Sequence, residues 1–190
     1  MLFGRSLVIA LCCLGSALVP VHADEVTANN QGNKLAADHW QPLKRFIGEW
    51  SGVTSGQSGT GVVKRQYSFI MNGRYIQETN TSTYPPQEKN KNGEIHEHMG
   101  MFSYDKARKV LILRQFHIEG FVNTYRQNDT GLPLGLLFES ESFENFSNSW
   151  KAREKYEFLS DDEFIETFEL AAPGKPFQVY SQNHFQRVTK

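Results

Sequence analysis

The chain has 190 residues, of which 39% are hydrophobic and 22% charged, a globular balance that excludes a disordered chain and one that spans membranes throughout. Its net charge of -1 leaves no cationic excess to neutralise phosphates, which argues against a nucleic-acid partner. With 14 Phe and 7 Tyr, the composition leans toward β-structure.

In chain order, residues 1–23 read as a secretory signal peptide. Arg5 supplies the positive start, Leu7 to Val19 is an apolar stretch too short for a stable span, and Val21-His22-Ala23 is a small-residue cleavage site. Export is expected, to a periplasm first and to the outside second, with no stable membrane insertion after cleavage. The 2 cysteines, Cys12 and Cys13, leave with this segment. The remaining chain is then expected to have no disulfide and no thiol nucleophile, and must be stable through its core alone. Residues 24–40 read as a polar N-terminal arm and 41–190 as a single β-barrel domain.

Pro42-Leu43-Lys44-Arg45-Phe46-Ile47 predicts a short helical turn, with Pro42 at a first helical position and Leu43, Phe46 and Ile47 at helical spacing. After Gly48 the helical period disappears. Alternating segments follow: Trp50 to Ser55, Val62 to Met71, Arg74 to Ser82, Ile95 to Tyr104, Val110 to Glu119, Phe121 to Asn128, Leu136 to Glu144, Ser149 to Leu159, Glu163 to Ala171 and Phe177 to Val188. Asn72-Gly73 between two such runs is a strong hairpin signal. Ten sequential strands with short connections must manage their edges, and closing into an up-and-down antiparallel barrel does so directly. A sandwich is the alternative, but its Greek-key crossings need longer connections than these.

Gly48-Glu49-Trp50-Ser51-Gly52, just after the helical turn, resembles the opening signature of the calycin barrels, which include lipocalins and fatty-acid-binding proteins. The ten-strand count is most similar to the nitrobindin-type haem-binding β-barrels. The resemblance implies that Gly48, Trp50 and Gly52 are structural, and that Arg187 on the last strand packs across the Trp50 indole to close the barrel end. It also implies haem as a candidate cofactor, ligated from the last strand. The histidine there is His184, with Tyr180 as the lesser alternative. His184 and Arg187 are three residues apart, so in a regular strand they face opposite ways.

Three further groups carry chemistry. Trp150, Ala152, Glu154, Tyr156 and Phe158 share one face of the cleanest alternation in the chain, which assigns that face to the interior and makes Glu154 an inward carboxylate. On Val110 to Glu119, Leu111, Leu113, Gln115, His117 and Glu119 share one side and Val110, Ile112, Arg114, Phe116 and Ile118 the other. If the second side is inward, Arg114 meets Glu154 or holds an anionic ligand head. Finally, His96 and His98 share a face at i, i+2, and His117 on the next strand could complete a metal site, although the pair follows a charged loop and reads first as solvated histidines, and the family resemblance does not support a metal there.

The expected function is an exported barrel that binds a small hydrophobic molecule, haem or a lipid-like compound. Trp150, Tyr156 and Phe158 would form the wall, with Glu154 and Arg114 as polar anchors and His184 as haem ligand. The alternatives are an enzyme on the same barrel, isomerase- or hydrolase-like with Glu154 or His117 as base, and a barrel filled by its own side chains.

Overall fold

The computed structural model describes residues 39–129, 131 and 134–189; the expected signal peptide and most of the arm lie outside the described residues. A 3-10 turn, Gln41–Phe46, precedes ten strands: β1 (Gly48–Gly56), β2 (Gly59–Ile70), β3 (Tyr75–Tyr84), β4 (Glu94–Asp105), β5 (Val110–His117), β6 (Val122–Asn128), β7 (Gly135–Glu144), β8 (Lys151–Ser160), β9 (Glu163–Ala171) and β10 (Gln178–Arg187). Every strand pairs antiparallel with its sequence neighbours, and β1 pairs with β10, so the sheet closes into an up-and-down barrel. Among the described residues every strand has a partner on each side, which is the expected solution for this chain of hairpins.

Alternation sets the inside. On β2, Val63, Arg65 and Tyr67 are buried between exposed Val62, Lys64 and Gln66, and on β8 the buried set is Ala152, Glu154, Tyr156 and Phe158. The hairpin at Asn72-Gly73 is longer than a two-residue turn. Met71, Asn72 and Gly73 all take positive φ (49°, 56° and 74°), and Arg74 N–H returns to the Ile70 carbonyl. Glycine and asparagine tolerate this left-handed backbone, which is why the signal falls there.

The two ends of the chain stitch the barrel shut. Trp50 lies opposite Arg187 in the β1–β10 register, and the guanidinium sits 4.2 Å over the indole ring. Arg187 also donates to the carbonyls of Ile47, Arg45 and Asp161 and to the Asp162 carboxylate, while Trp50 Nε1–H donates to the Phe46 carbonyl at 2.7 Å. Gly52 is required where β10 passes close by, because a Cβ there would stand 1.9 Å from the His184 carbonyl oxygen.

This end is packed solid. Phe46 from the 3-10 turn contacts the rings of Tyr67, Tyr156, Phe158 and Phe164, and Phe164 in turn meets Trp50 and Phe185. Trp40 is buried in the same cluster, and His39 stacks on Tyr104 at 4.0 Å. Folded structure therefore starts before residue 41, inside the stretch expected to be a loose arm.

Candidate functional site

The other half of the barrel is hollow. A cavity of about 790 Å³ opens at the end opposite the aromatic plug. The same inward alternation continues, but the side chains are small or polar: Asn80 and Ser82 on β3, Asn123 on β6, Asn183 on β10. Removing side-chain volume at these positions is what makes the space.

Its floor is a buried charge network. Arg65 grips Glu166 with both terminal nitrogens, at 2.5 and 2.9 Å, and its Nε lies 3.3 Å from Glu78 Oε1 and donates to Asn80 at 2.9 Å. Asn183 adds a donor to Glu166, and the guanidinium lies 4.7 Å over the Phe185 ring. Burial works against the Arg65 charge, but Glu166, Tyr67 and Glu78 outweigh it and hold the guanidinium protonated. Burial likewise pushes the Glu78 carboxyl up, and Arg65 with His98 more than offsets this, leaving it ionised below its ordinary range. One cation thus faces two carboxylates. Glu154, buried beside them, is different: burial first and then Glu166 push its pKa well above the ordinary carboxylate range.

One wall carries three histidines. His98 on β4 lies directly opposite His117 on β5, and His96 is two residues along β4 on the same face. Their ring centroids are 5.2 to 5.7 Å apart, and their ligand nitrogens all lie within 4.8 Å of one another. Each ring is held from behind: His98 Nε2 by Glu78 at 2.8 Å, His96 Nδ1 by Glu119 at 2.8 Å, and His117 Nε2 by Asn123 at 3.2 Å. His117 Nδ1 is 3.4 Å from His96 Nε2. Burial, followed by the charges of His98 and His96, lowers the His117 pKa to about 3, so its imidazole is neutral.

The residues singled out from the sequence divide sharply. Trp150 and Glu154 line the cavity, and His96, His98 and His117 come together as the spacing allowed. Tyr156 and Phe158 face inward but belong to the plug. Arg114 is exposed: the inward side of β5 is Leu111, Leu113 and Gln115, so Arg114 is turned away from Glu154 and does not line the cavity. The cation beside Glu154 is Arg65, which the sequence reading missed although it sits between inward Val63 and Tyr67. His184 is also outward, with Nε2 2.6 Å from Glu163 Oε1 on the outer face of β9. The bulge in β10 falls at Tyr180, before His184, and does not change the parity that sets His184 against Arg187. Tyr180 itself reaches the cavity rim.

A comparison with known protein families matches none, and neither do the curated proteins. Among solved structures the chain is similar to Rv2717c from M. tuberculosis, with a TM-score of 0.56 at 15% identity, over 80% of this chain and 98% of that one. At that identity the likeness is one of fold, a β-barrel. A redesigned β-barrel (TM-score 0.41, 9% identity, 78% and 96% of the two chains) and EF1p2_mFAP2b bound to DFHBI (TM-score 0.41, 10% identity, 77% and 97%) are more distant.

Proposed function

We propose that the protein binds a small molecule whose apolar body fills the open half of the barrel and whose polar end rests against the wall of histidines and the floor of Arg65, Glu78 and Glu166. The carrying observation is the cavity of about 790 Å³ in a barrel whose other half is filled by a cluster of buried aromatic side chains. Its size suits a drug- or lipid-sized ligand, and its mixture of Phe143, Phe146, Trp150 and Phe168 with a few convergent polar groups is the ordinary chemistry of such sites. Binding energy comes from burial, at about 25 cal/mol per Å² of apolar surface removed from water. A periplasmic or secreted setting rests on residues 1–23, and kinship with the nitrobindin-type barrels is supported by the ten-strand count and the Trp50–Arg187 closure.

Of the two ligand chemistries raised by that kinship, the lipid-like one fits better. Haem ligated from β10 needs a donor facing the cavity; the histidine of β10 is outside, held by Glu163, which leaves Tyr180 at the rim as the lesser of the two donors considered. A fluorescent apolar probe, N-phenyl-1-naphthylamine, should bind one saturable site per chain, and Ser82→Trp, which fills the cavity from β3, should abolish it without lowering the unfolding temperature. Probe binding unchanged in Ser82→Trp overturns the assignment. His184→Ala is expected to leave both probe and hemin titrations as in the native chain.

A further inference from the structure

The three histidines form a cluster on one wall of the cavity. Each has one nitrogen engaged by a neighbour outside the group, and one ligand nitrogen of each lies within 4.8 Å of the others. His98 Nε2 lies 2.8 Å from the Glu78 oxygen Oε1 and donates its N–H to it. The Nδ1 lone pair of His98 is then free, and that atom is buried without a partner. Buried polar atoms are nearly always satisfied, so an orphan at a cavity wall points to something that satisfies it. Glu119 accepts from His96 Nδ1–H in the same way, leaving a lone pair on His96 Nε2. His117 Nδ1 faces that lone pair at 3.4 Å.

We propose that His96 Nε2, His98 Nδ1 and His117 Nδ1 form a three-histidine site for a divalent transition metal of the zinc class, with a fourth coordination position open to the cavity. Three neutral imidazoles are borderline donors that suit zinc, copper, nickel or cobalt and not calcium or magnesium. Two nitrogens bound tetrahedrally at zinc distances stand about 3.3 Å apart, and the His96–His117 pair is already at 3.4 Å. His98, whose ring is centred 5.2 Å from that of His117, closes the triangle by a small side-chain rotation. Without metal, the His117 Nδ1 proton bridges to His96 Nε2 while Asn123 Nδ2–H donates to His117 Nε2. With metal, that proton moves to Nε2, and Asn123, turned by half a rotation about its amide, accepts it through Oδ1, an atom now buried without a partner. The imidazole stays neutral throughout, so no net proton is lost.

The surroundings agree. Two of the three ligands carry a carboxylate behind them and the third an amide, the arrangement that fixes the tautomer and raises the basicity of metal-binding histidines. The floor beside them has one guanidinium against two carboxylates, and Glu94 stands with His96 and Glu119 at the mouth, so the local field favours a cation. This site is separate from the apolar part of the cavity, and it does not need the organic ligand to be known.

The test is a Co2+ titration of the untagged chain after chelator treatment. One Co2+ per chain should bind, give the intense visible bands of a four-coordinate ion, and be displaced by an equal amount of Zn2+. His98→Ala and His117→Ala should each lose the bands. Asn123→Ala, which keeps all three ligands, should weaken binding by about 10- to 100-fold. Zn2+ should raise the unfolding temperature of the native chain and not that of His117→Ala. Weak six-coordinate bands, or undiminished Co2+ binding by a His117→Ala chain that unfolds like the native one, overturn the site. Because N-phenyl-1-naphthylamine is measured on metal-free protein, either reading can fail while the other stands.

Discussion

The plugged and the hollow halves of the barrel obey one alternation rule and differ only in what stands at the inward positions. Along β8 the inward series runs Ala152, Glu154, Tyr156, Phe158, from cavity to plug; along β2 it runs Gly61, Val63, Arg65, Tyr67; along β3 the order is reversed, from Ile76 through Glu78 and Asn80 to Ser82. Fold is carried by the period and function by the gradient of side-chain size and polarity along it. The plug supplies the stability that the hollow half forgoes. Phe164, fully buried against Phe46, Trp50, Tyr156, Phe158 and Phe185, is its centre. Phe164→Ala should cost about 3–5 kcal/mol in urea unfolding, whereas Trp150→Ala, at the cavity wall, should cost under about half of that and act mainly on ligand affinity. Equal losses at the two sites would erase the distinction between the halves.

Between the halves lies the layer of charge, and its Arg65 is the next most sensitive point. Arg65→Met leaves Glu166 and Glu78 buried without their cation. It should cost about 3–5 kcal/mol, as for other broken buried ion pairs, with Glu166→Gln in the same chain restoring part of the loss. If the single variant is as stable as the native chain, Arg65 is not the counter-charge that keeps this layer ionised. In that case Glu166 and Glu78 must take up protons in the folded state.

Much of this molecule is legible in its sequence. Ten strands and their order follow from turn residues and period 2, because one buried face forces each register; the closure by Trp50 and Arg187 was implied only by the resemblance to the calycin barrels. The side of β8 that faces in was readable because Lys151, Arg153 and Lys155 alternate with apolar neighbours. On β5 both sides are largely apolar, so periodicity could not choose between them, and the anchor role expected for Arg114 depended on the side that turns out to face outward. Arg65 was readable in principle, since it stands between inward Val63 and Tyr67 on a regular strand, but a buried arginine is rare enough that composition argues against it. The three histidines could be grouped by spacing and strand pairing. The carboxylates behind them could not be found that way, since Glu78 and Glu119 come from a neighbouring strand and a strand end.

The subtlest difference between the halves concerns protonation, and Glu154 reports it. Its folded pKa is raised well above the ordinary 4.5 by burial, then by Glu166, with Arg65 pulling the other way and Glu78, Tyr125 and Tyr156 also near. Below pH 4.5 the carboxyl is protonated in folded and unfolded chains alike and stability does not depend on it. As pH rises past 4.5 the unfolded chain releases the proton and the folded chain keeps it. The folded state then binds more protons, and Glu154 makes stability fall with rising pH until its folded pKa is reached. Glu154→Gln removes this drain while keeping the shape and the Gln115 neighbour. Relative to the native chain the variant should gain stability between pH 5 and pH 8, by no more than about 1.4 kcal/mol per pH unit, read as the difference in urea midpoints at the two values. Glu78 has the opposite sign, its lowered pKa withdrawing stability only in acid, so the two carboxylates are separable by the pH at which each acts. A difference between variant and native chain that is flat from pH 5 to pH 8 would mean that Glu154 ionises in the folded state. The cavity floor would then carry three negative charges against one guanidinium.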